Sequence, residues 1–187
     1  MQGIGTPDEG AESRSGITEN TINLSIALKL QNLLEQSGTT VILTRSDENG
    51  IYELDKKTVK DKKVSDIKQR VEIGNNSSAD IFVSIHLNQI PQSQYWGWQT
   101  FFKSKDDKSE SLAKSIQSGL NETINKENKR ESLVIKGKYI VDHVNIPISI
   151  VECGFLSNSE EETLLQQEDY QNKLAWGIYV GINNYFY

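Results

Sequence analysis

The stretch ISIVECGFLSN at residues 148–158 indicates the fold of this chain, because it joins an apolar run to a polar strand end. Residues 148–151 are mostly apolar and β-branched, which is typical of a strand buried on both faces of a parallel sheet. Glu152 follows directly, where such a strand delivers its last side chain into a crevice. A carboxylate in this position costs free energy unless it meets a proton or a cation. The stretch therefore predicts a buried strand with a functional acid at its end.

A second apolar run, ADIFVSIHLN at residues 79–88, predicts another buried strand, which ends in the imidazole of His86. In open α/β sheets, ligands gather outside the carboxyl ends of the strands. A strand-end histidine together with a strand-end glutamate therefore suggests metal-assisted hydrolysis. Taken alone, a histidine after an apolar strand is more often a structural hydrogen-bonding group, and it is Glu152 that favours a site.

Segments with helical periodicity alternate with the strands. Apolar residues recur every three or four positions from residue 20 to a stop signal at Gly38, and again over about 59–75, 109–125 and 170–185. Further extended segments are predicted at 39–44, at about 99–103 and at 138–141. This alternation predicts the α/β class, with a layered architecture and a mostly parallel sheet. The length of 187 residues agrees with a single domain over 1–187.

Composition and charge exclude several functions. The net charge of −6 argues against a general nucleic-acid binder, which is usually basic. No apolar run approaches the roughly 20 residues that a transmembrane helix needs, so no transmembrane segment is predicted. The single cysteine, Cys153, excludes an intramolecular disulfide and is a rival candidate as a thiol nucleophile. Adjacent strand residues point to opposite faces, so Cys153 faces the core if Glu152 faces the crevice.

Three residues are the candidates for a metal centre and its base. A catalytic zinc takes about three protein ligands and keeps one position open for water. His86 is the first candidate ligand. Glu19 is the second, because it lies at the predicted start of the first helix, although a simple first-turn acid explains it as well. Zinc held by these two residues would polarise a water and a carbonyl, while Glu152 takes the proton of the water. Glu152 could also bind the metal directly.

Other polar and aromatic residues near these strands have both a functional and a structural interpretation. Asn88 lies two residues after His86, hence on the same side of an extended segment, where it either binds substrate or shapes a turn. Tyr95, Trp96 and Trp98 follow the His86 strand, and packing is favoured over sugar stacking. The lysine-rich segment at residues 56–68 is interpreted as a solvated helix face.

Motifs along nearly the whole chain resemble the zinc-dependent N-acetylmuramoyl-L-alanine amidases. Residues 66–91 and 179–186 are particularly similar to the spore-cortex, germination-specific members. The matching positions, in chain order, are Gly10, Ala11, Glu19, Asn23, Leu24, Thr44, Arg45, Arg70, Asn75, residues 84–88 and residues 151–158.

The resemblance implies a twisted mixed sheet flanked by helices, in three layers. It implies hydrolysis of the amide between the lactyl group of muramic acid and L-alanine in peptidoglycan, outside the cytoplasmic membrane. Glu19 and His86 match zinc-ligand positions, and Glu152 matches the catalytic glutamate. Cortex members act before a deacetylase that forms muramic-δ-lactam. Amidases of this broad family are often regulated by an accessory protein, for which residues 56–68 are the first contact to consider.

One departure from the family pattern concerns the metal. Family members open with a strand that ends in Asp-Pro-Gly-His-Gly, whose histidine is a third zinc ligand, whereas this sequence starts at about that position with MQG. We expect His143 not to replace it, because it falls where the family has no ligand. The resemblance thus predicts weak zinc binding and poor activity. Two alternatives stay open: a non-catalytic wall-binding or regulatory protein that has lost a ligand, and a zinc peptidase acting on an unrelated peptide.

Overall fold

The computed structural model describes residues 10–13 and 15–187. Six helices and four strands follow one another in these residues, and none of the helices is long and apolar enough to cross a membrane. The order is α1 (Glu19–Gln36), α2 (Val59–Asn76), β1 (Phe82–Asn88), β2 (Gln99–Lys103), α3 (Asp107–Thr123), β3 (Leu133–Ile135), α4 (Tyr139–His143), β4 (Ile148–Phe155), α5 (Ser159–Leu165) and α6 (Glu168–Phe186).

The four strands form one mixed sheet in the order β1-β4-β2-β3. β4 lies between β1, to which it is parallel, and β2, to which it is antiparallel, while β2 and β3 are parallel. Seven of the eight residues of β4 are buried, which agrees with its apolar sequence. The prediction of an α/β fold with a mixed sheet flanked by helices is confirmed.

Helices cover both faces of the sheet, so the domain has three layers. Alternate residues of β4 divide between the layers, as the two-residue period of a strand requires. Val151 and Cys153 pack with α1, α3 and α6, whereas Ile148 and Ile150 pack with α2 and α4. Because Glu152 continues the alternation of Ile148 and Ile150, it lies on the side of the sheet that faces α2 and α4, near the carboxyl end of β4.

The predicted strand at residues 39–44 is wrong for the described part of the chain. These residues form no ladder, and a groove of about 1030 Å³ separates them from the outer edge of β1. A β-branched sequence becomes a strand only where a second strand supplies hydrogen bonds. The same groove leaves Phe82–Ile85 only half-buried, although the apolar run predicted a fully buried strand.

The extended segment predicted at residues 138–141 is also wrong. Residues 139–143 form the short helix α4, in which Ile140 and Val141 pack beside Val71 and Ile148. The ring of His143 stacks on that of Tyr139, one helical turn earlier, with 3.8 Å between the ring centroids. Tertiary packing therefore overrides the β-propensity of the local sequence. The strand β3, only three residues long, was not predicted.

Candidate active site

Glu19 is the most enclosed polar side chain of the site. It begins α1, is fully buried, and its Oε1 lies 3.1 Å from Nδ1 of His86. The same oxygen accepts hydrogen bonds from the backbone N–H of Leu87 (3.2 Å) and the side-chain amide of Asn23 (3.1 Å), and Oε2 accepts from the backbone N–H of Ala11 (3.0 Å). The start of α1 is thereby tied to the end of β1.

The contacts of Glu19 favour its ionised form. Burial alone would raise its pKa, but the hydrogen bond and charge of His86 and the N–H groups of Ala11 and Leu87 outweigh it, so the pKa is lowered. The carboxylate is therefore a permanent negative charge at neutral pH, which suits either an ion pair or a metal ligand.

His86 lies near the end of β1 with both ring nitrogens in contact with polar atoms. Nδ1 faces the acceptor-only carboxylate of Glu19, and Nε2 lies 2.7 Å from the hydroxyl of Ser84, two residues earlier on the same face. In the neutral imidazole the proton therefore resides on Nδ1, and Nε2 accepts from Ser84. The ring is buried and its orientation is fixed from both sides.

Glu152 lies beside His86 on the neighbouring strand. The two residues are direct partners in the parallel β1–β4 ladder, so their side chains emerge on the same face about 5 Å apart. Oε2 of Glu152 is buried and has no hydrogen-bond partner within the described residues. Burial raises the pKa of Glu152, the charge of His86 lowers it, and the charge of Glu19 raises it; the net direction is upward. A carboxylate in this state accepts a proton readily.

The arrangement fits two zinc ligands. Zinc–nitrogen and zinc–oxygen distances of about 2.0–2.1 Å place two tetrahedral ligand atoms about 3.3 Å apart, close to the 3.1 Å between Oε1 of Glu19 and Nδ1 of His86. A metal ion held by these two atoms would replace the proton on Nδ1. In the described part of the chain, no group of three or more His, Cys, Asp or Glu residues is gathered closely enough to hold a metal. The predicted absence of a third ligand near residues 1–3 lies outside the described residues.

The side-chain amide of Asn88 is available beside this group. It makes no hydrogen bond to any described residue, while its backbone carbonyl accepts from the N–H of Leu156 at 2.8 Å. The ladder between β1 and β4 is irregular between His86 and Asn88, so simple alternation does not fix the direction of the amide. Its substrate-binding role stays a prediction.

The rival candidates lie elsewhere. Cys153 is completely buried and its pKa is raised by that burial, so it holds no reactive thiolate. His143 ends α4, exposed, with Nδ1 against the carbonyl of Tyr139. Trp98 is fully buried and donates to Asn121 at 2.7 Å, which confirms packing as its role.

One polar neighbour of Glu152 was missed by the sequence analysis. Gln99 begins β2 and pairs directly with Glu152 across the antiparallel ladder, so His86, Glu152 and Gln99 form a row on one face of three adjacent strands. Only the strand order and register bring Gln99 to this place, and neither can be read from the local sequence.

Comparison with known proteins identifies the family. A family model described as N-acetylmuramoyl-L-alanine amidase, Amidase_3, matches residues 1–184. The chain belongs to the N-acetylmuramoyl-L-alanine amidase family. It is 36% identical over 184 residues to the germination-specific N-acetylmuramoyl-L-alanine amidase of Bacillus subtilis (strain 168), covering 98% of this chain and 77% of that protein.

Solved structures of amidases agree with the fold. The CwlD amidase of Clostridioides difficile, in complex with the GerS lipoprotein, is 45% identical with a TM-score of 0.95, covering 98% of this chain and 94% of that one. An N-acetylmuramoyl-L-alanine amidase of Clostridium difficile 630 is 33% identical with a TM-score of 0.86, covering 99% and 93%. The chain is thus a hydrolase of the peptidoglycan amidase type.

Proposed function

We propose that this amidase is zinc-dependent and cleaves the amide between the lactyl group of N-acetylmuramic acid and L-alanine in spore-cortex peptidoglycan. The observation that carries the proposal is the placement of a buried Glu152 oxygen, which has no hydrogen-bond partner in the described part of the chain, beside the Glu19–His86 pair. A base next to two potential metal ligands is the arrangement that metal-assisted amide hydrolysis uses.

Zinc, held by Glu19 and His86 with a further ligand, would supply a Lewis acid for the scissile carbonyl. The residues of the chain supply the rest. Glu152 takes one proton from the attacking water while the oxygen of the water forms a bond to the lactyl carbonyl carbon. Glu152 then returns that proton to the nitrogen of L-alanine as the carbon–nitrogen bond breaks. The products are the lactyl carboxylic acid, which keeps the second proton of the water until it ionises, and the free amine of L-alanine. Its raised pKa suits both transfers.

Buried contacts preorganise this arrangement. Ser84 and Glu19 hold the imidazole of His86 from opposite sides, and the N–H groups of Ala11 and Leu87 hold Glu19. The reacting geometry therefore needs little reorganisation when substrate binds. The free amide of Asn88 is proposed to donate a hydrogen bond to the substrate.

The cortex as substrate and a site of action outside the cytoplasmic membrane rest on the relatives. The similar Bacillus protein is a germination-specific amidase, and the similar Clostridioides protein forms a complex with a lipoprotein. We propose that this chain likewise strips stem peptides ahead of muramic-δ-lactam formation and binds an accessory protein. The lysine-rich segment at 56–68 is the proposed contact; its residues from Val59 onward form the first part of α2, and most of its side chains apart from Ser65 and Asp66 are at least partly exposed.

The direct test is product analysis on purified cortex peptidoglycan with Zn²⁺ supplied. We expect free stem peptides with an N-terminal L-alanine, loss of release on adding a chelator, and loss by at least about 100-fold in Glu152→Gln. Glu160→Gln removes a nearby exposed carboxylate and is the matched control. Cleavage inside the stem peptide would instead identify a peptidase.

A non-catalytic wall-binding function is the second candidate, because only two potential ligands are gathered within the described residues. It predicts that the protein sediments with peptidoglycan and releases no peptide at any zinc concentration. The same digest, with the pellet assayed for bound protein, separates the two functions.

A further inference from the structure

A cationic side chain, Arg130, is held at the end of the row of polar residues without an acidic partner. Its Nε donates to the carbonyl of Trp96 at 3.0 Å, and its Nη1 donates to Oε1 of Gln99 at 3.2 Å. No carboxylate of the described residues forms an ion pair with it. Both bonds go to neutral acceptors, so the charge of the guanidinium is uncompensated at contact distance.

Two aromatic rings lie against the guanidinium. Its central carbon lies 4.8 Å from the ring centre of Phe155 and 5.8 Å from that of Tyr95. Such cation–π contacts use the face of an arginine and none of its N–H donors. Two of its five N–H donors are used, and three remain for a ligand.

The position of this arginine follows from the sheet. Gln99 is the direct partner of Glu152, and the side-chain nitrogen of Gln99 donates to the carbonyl of Glu131 at 2.8 Å, which turns Oε1 toward Arg130. Neighbouring strands are about 4.8 Å apart. The strand β2, which carries Gln99, lies on the side of β4 that faces away from His86. The guanidinium of Arg130 therefore lies on that side of Glu152, at a distance of about one strand spacing plus the length of the Gln99 side chain.

A buried acid close enough to feel the charge of Arg130, Glu161, already has hydrogen-bond donors of its own. Glu161 is buried, and its two oxygens accept the backbone N–H groups of Gly97 (2.9 Å) and Phe155 (2.8 Å). The charges of Lys126 and Arg130 lower its pKa, but burial raises it by more. Arg130 is thus near this acid without being bound to it, and its free donors need another partner.

We propose that Arg130 binds a carboxylate of the stem peptide, on the residue that follows L-alanine; this inference rests on the proposed function. Of the two sides of the scissile amide, the N-acetylated glycan carries no ionised group, whereas the stem peptide carries carboxylates. An extended chain advances about 3.3–3.6 Å per residue, so a carboxylate one residue past L-alanine lies about 7 Å from the scissile bond. This distance is comparable to the separation between Glu152 and the guanidinium of Arg130, which is about one strand spacing plus a side chain.

The test compares two substrates that differ in one group: N-acetylmuramoyl-L-alanyl-D-glutamate and its isoglutamine analogue, in which the α-carboxylate is an amide. We expect a kcat/KM at least about tenfold higher for the carboxylate in the unaltered protein, carried mainly by KM, and a ratio near one in Arg130→Gln. Arg130→Lys keeps the charge and should keep part of the preference. Lys129→Gln removes an exposed neighbouring charge and should leave the ratio unchanged.

Calorimetric binding of both compounds to metal-free protein gives a second measurement that needs no turnover. A tenfold or greater preference that disappears in Arg130→Gln supports the inference, with thermal unfolding used to verify that the variant is folded. Equal losses for both compounds mean that Arg130 only holds the loop, and overturn it. Release of peptide from neither compound by the unaltered protein contradicts the proposed function instead, and the binding preference then decides the inference alone.

Discussion

At the scale of single residues, the site combines two carboxylates with opposite environments. Glu19 accepts several hydrogen bonds and keeps its charge, whereas one oxygen of Glu152 is buried with no partner among the residues that the structure describes. Two acids whose pKa values are shifted in opposite directions are typical of sites in which one acid stays ionised and the other transfers protons. In the metal-free protein, the environments of both carboxylates can be measured without the charge of a bound ion.

Replacing Glu152 by Gln is expected to stabilise the fold at pH 7. Because the pKa of Glu152 is raised in the folded state, its carboxyl group contributes most favourably below its ordinary value of 4.5, and that contribution is lost as the pH rises through the folded value. The variant should therefore melt about 2–4 °C higher at pH 7, and the gain should vanish below about pH 4.5. Thermal unfolding with a chelator present, with Glu160→Gln as control, measures this; an unchanged melting temperature at pH 7 would mean that the carboxylate is compensated.

Replacing Glu19 by Ala is expected to lower the free energy of unfolding by about 3–5 kcal/mol, since it removes one member of a buried pair and leaves buried donors unpaired. Denaturant unfolding of the chelator-treated protein measures the loss. Glu35→Ala removes an exposed acid of the same helix whose carboxylate accepts a hydrogen bond from the side chain of Gln31, and should change the free energy of unfolding by less than about 0.5 kcal/mol. Similar values for the two variants would contradict a structural role for Glu19.

Among the helices and strands, those that could be predicted have a distinctive pattern of apolar residues within their own sequence. β1 and β4 are apolar runs, and α1, α3 and α6 have clear apolar stripes, so each could be predicted alone. Glu19, His86 and Glu152 could be proposed as site residues because each lies at an end of such an element. Gln99 and Arg130 were not, because their importance depends on strand register and loop conformation.

The two wrong secondary-structure predictions, at residues 39–44 and 138–141, share one physical cause. The conformation of each segment depends on the elements that pack or pair with it. Residues 39–44 have strand-like residues but no strand beside them among residues 10–13 and 15–187, and Ile140 and Val141 pack as a helix because the core requires it there. Propensity alone is a weak determinant against such contacts.

Residues 40–44 are accordingly expected to exchange their amide hydrogens quickly. Apart from the N–H of Thr39, which donates to the carbonyl of Leu34, no backbone amide of 39–44 bonds to another described backbone group. We expect exchange at least about 100-fold faster than in β4, which is paired on both sides. Residue-resolved hydrogen exchange by NMR measures the ratio, with α3 as an internal reference for a packed helix. Protection equal to that of β4 would show that this segment is paired in solution.

At the scale of the whole molecule, the layer that supports the site depends on the close approach of α3 and α6. Gly119 of α3 and Gly177 and Gly181 of α6 meet at the crossing, where an added Cβ would lie within 2.4–2.9 Å of backbone atoms of the facing helix. α1, whose first residue is Glu19, also packs against α6. A change in the spacing between α3 and α6 would therefore displace α1 and the sheet, and with them the residues of the candidate site.

Gly181→Ala tests this dependence. Alanine favours the helix by about 1 kcal/mol, but its Cβ would lie 2.4 Å from Cα of Ile116, a backbone atom that moves only if the helices separate. The clash should exceed the propensity gain, lowering the free energy of unfolding by about 2 kcal/mol and the melting temperature by about 4–8 °C. Asn184→Ala, exposed on the same helix, changes propensity without a clash and should be neutral or slightly stabilising. If Gly181→Ala instead melts at or above the unaltered protein, the crossing is loose enough to adapt, and its glycines are not what holds this layer together.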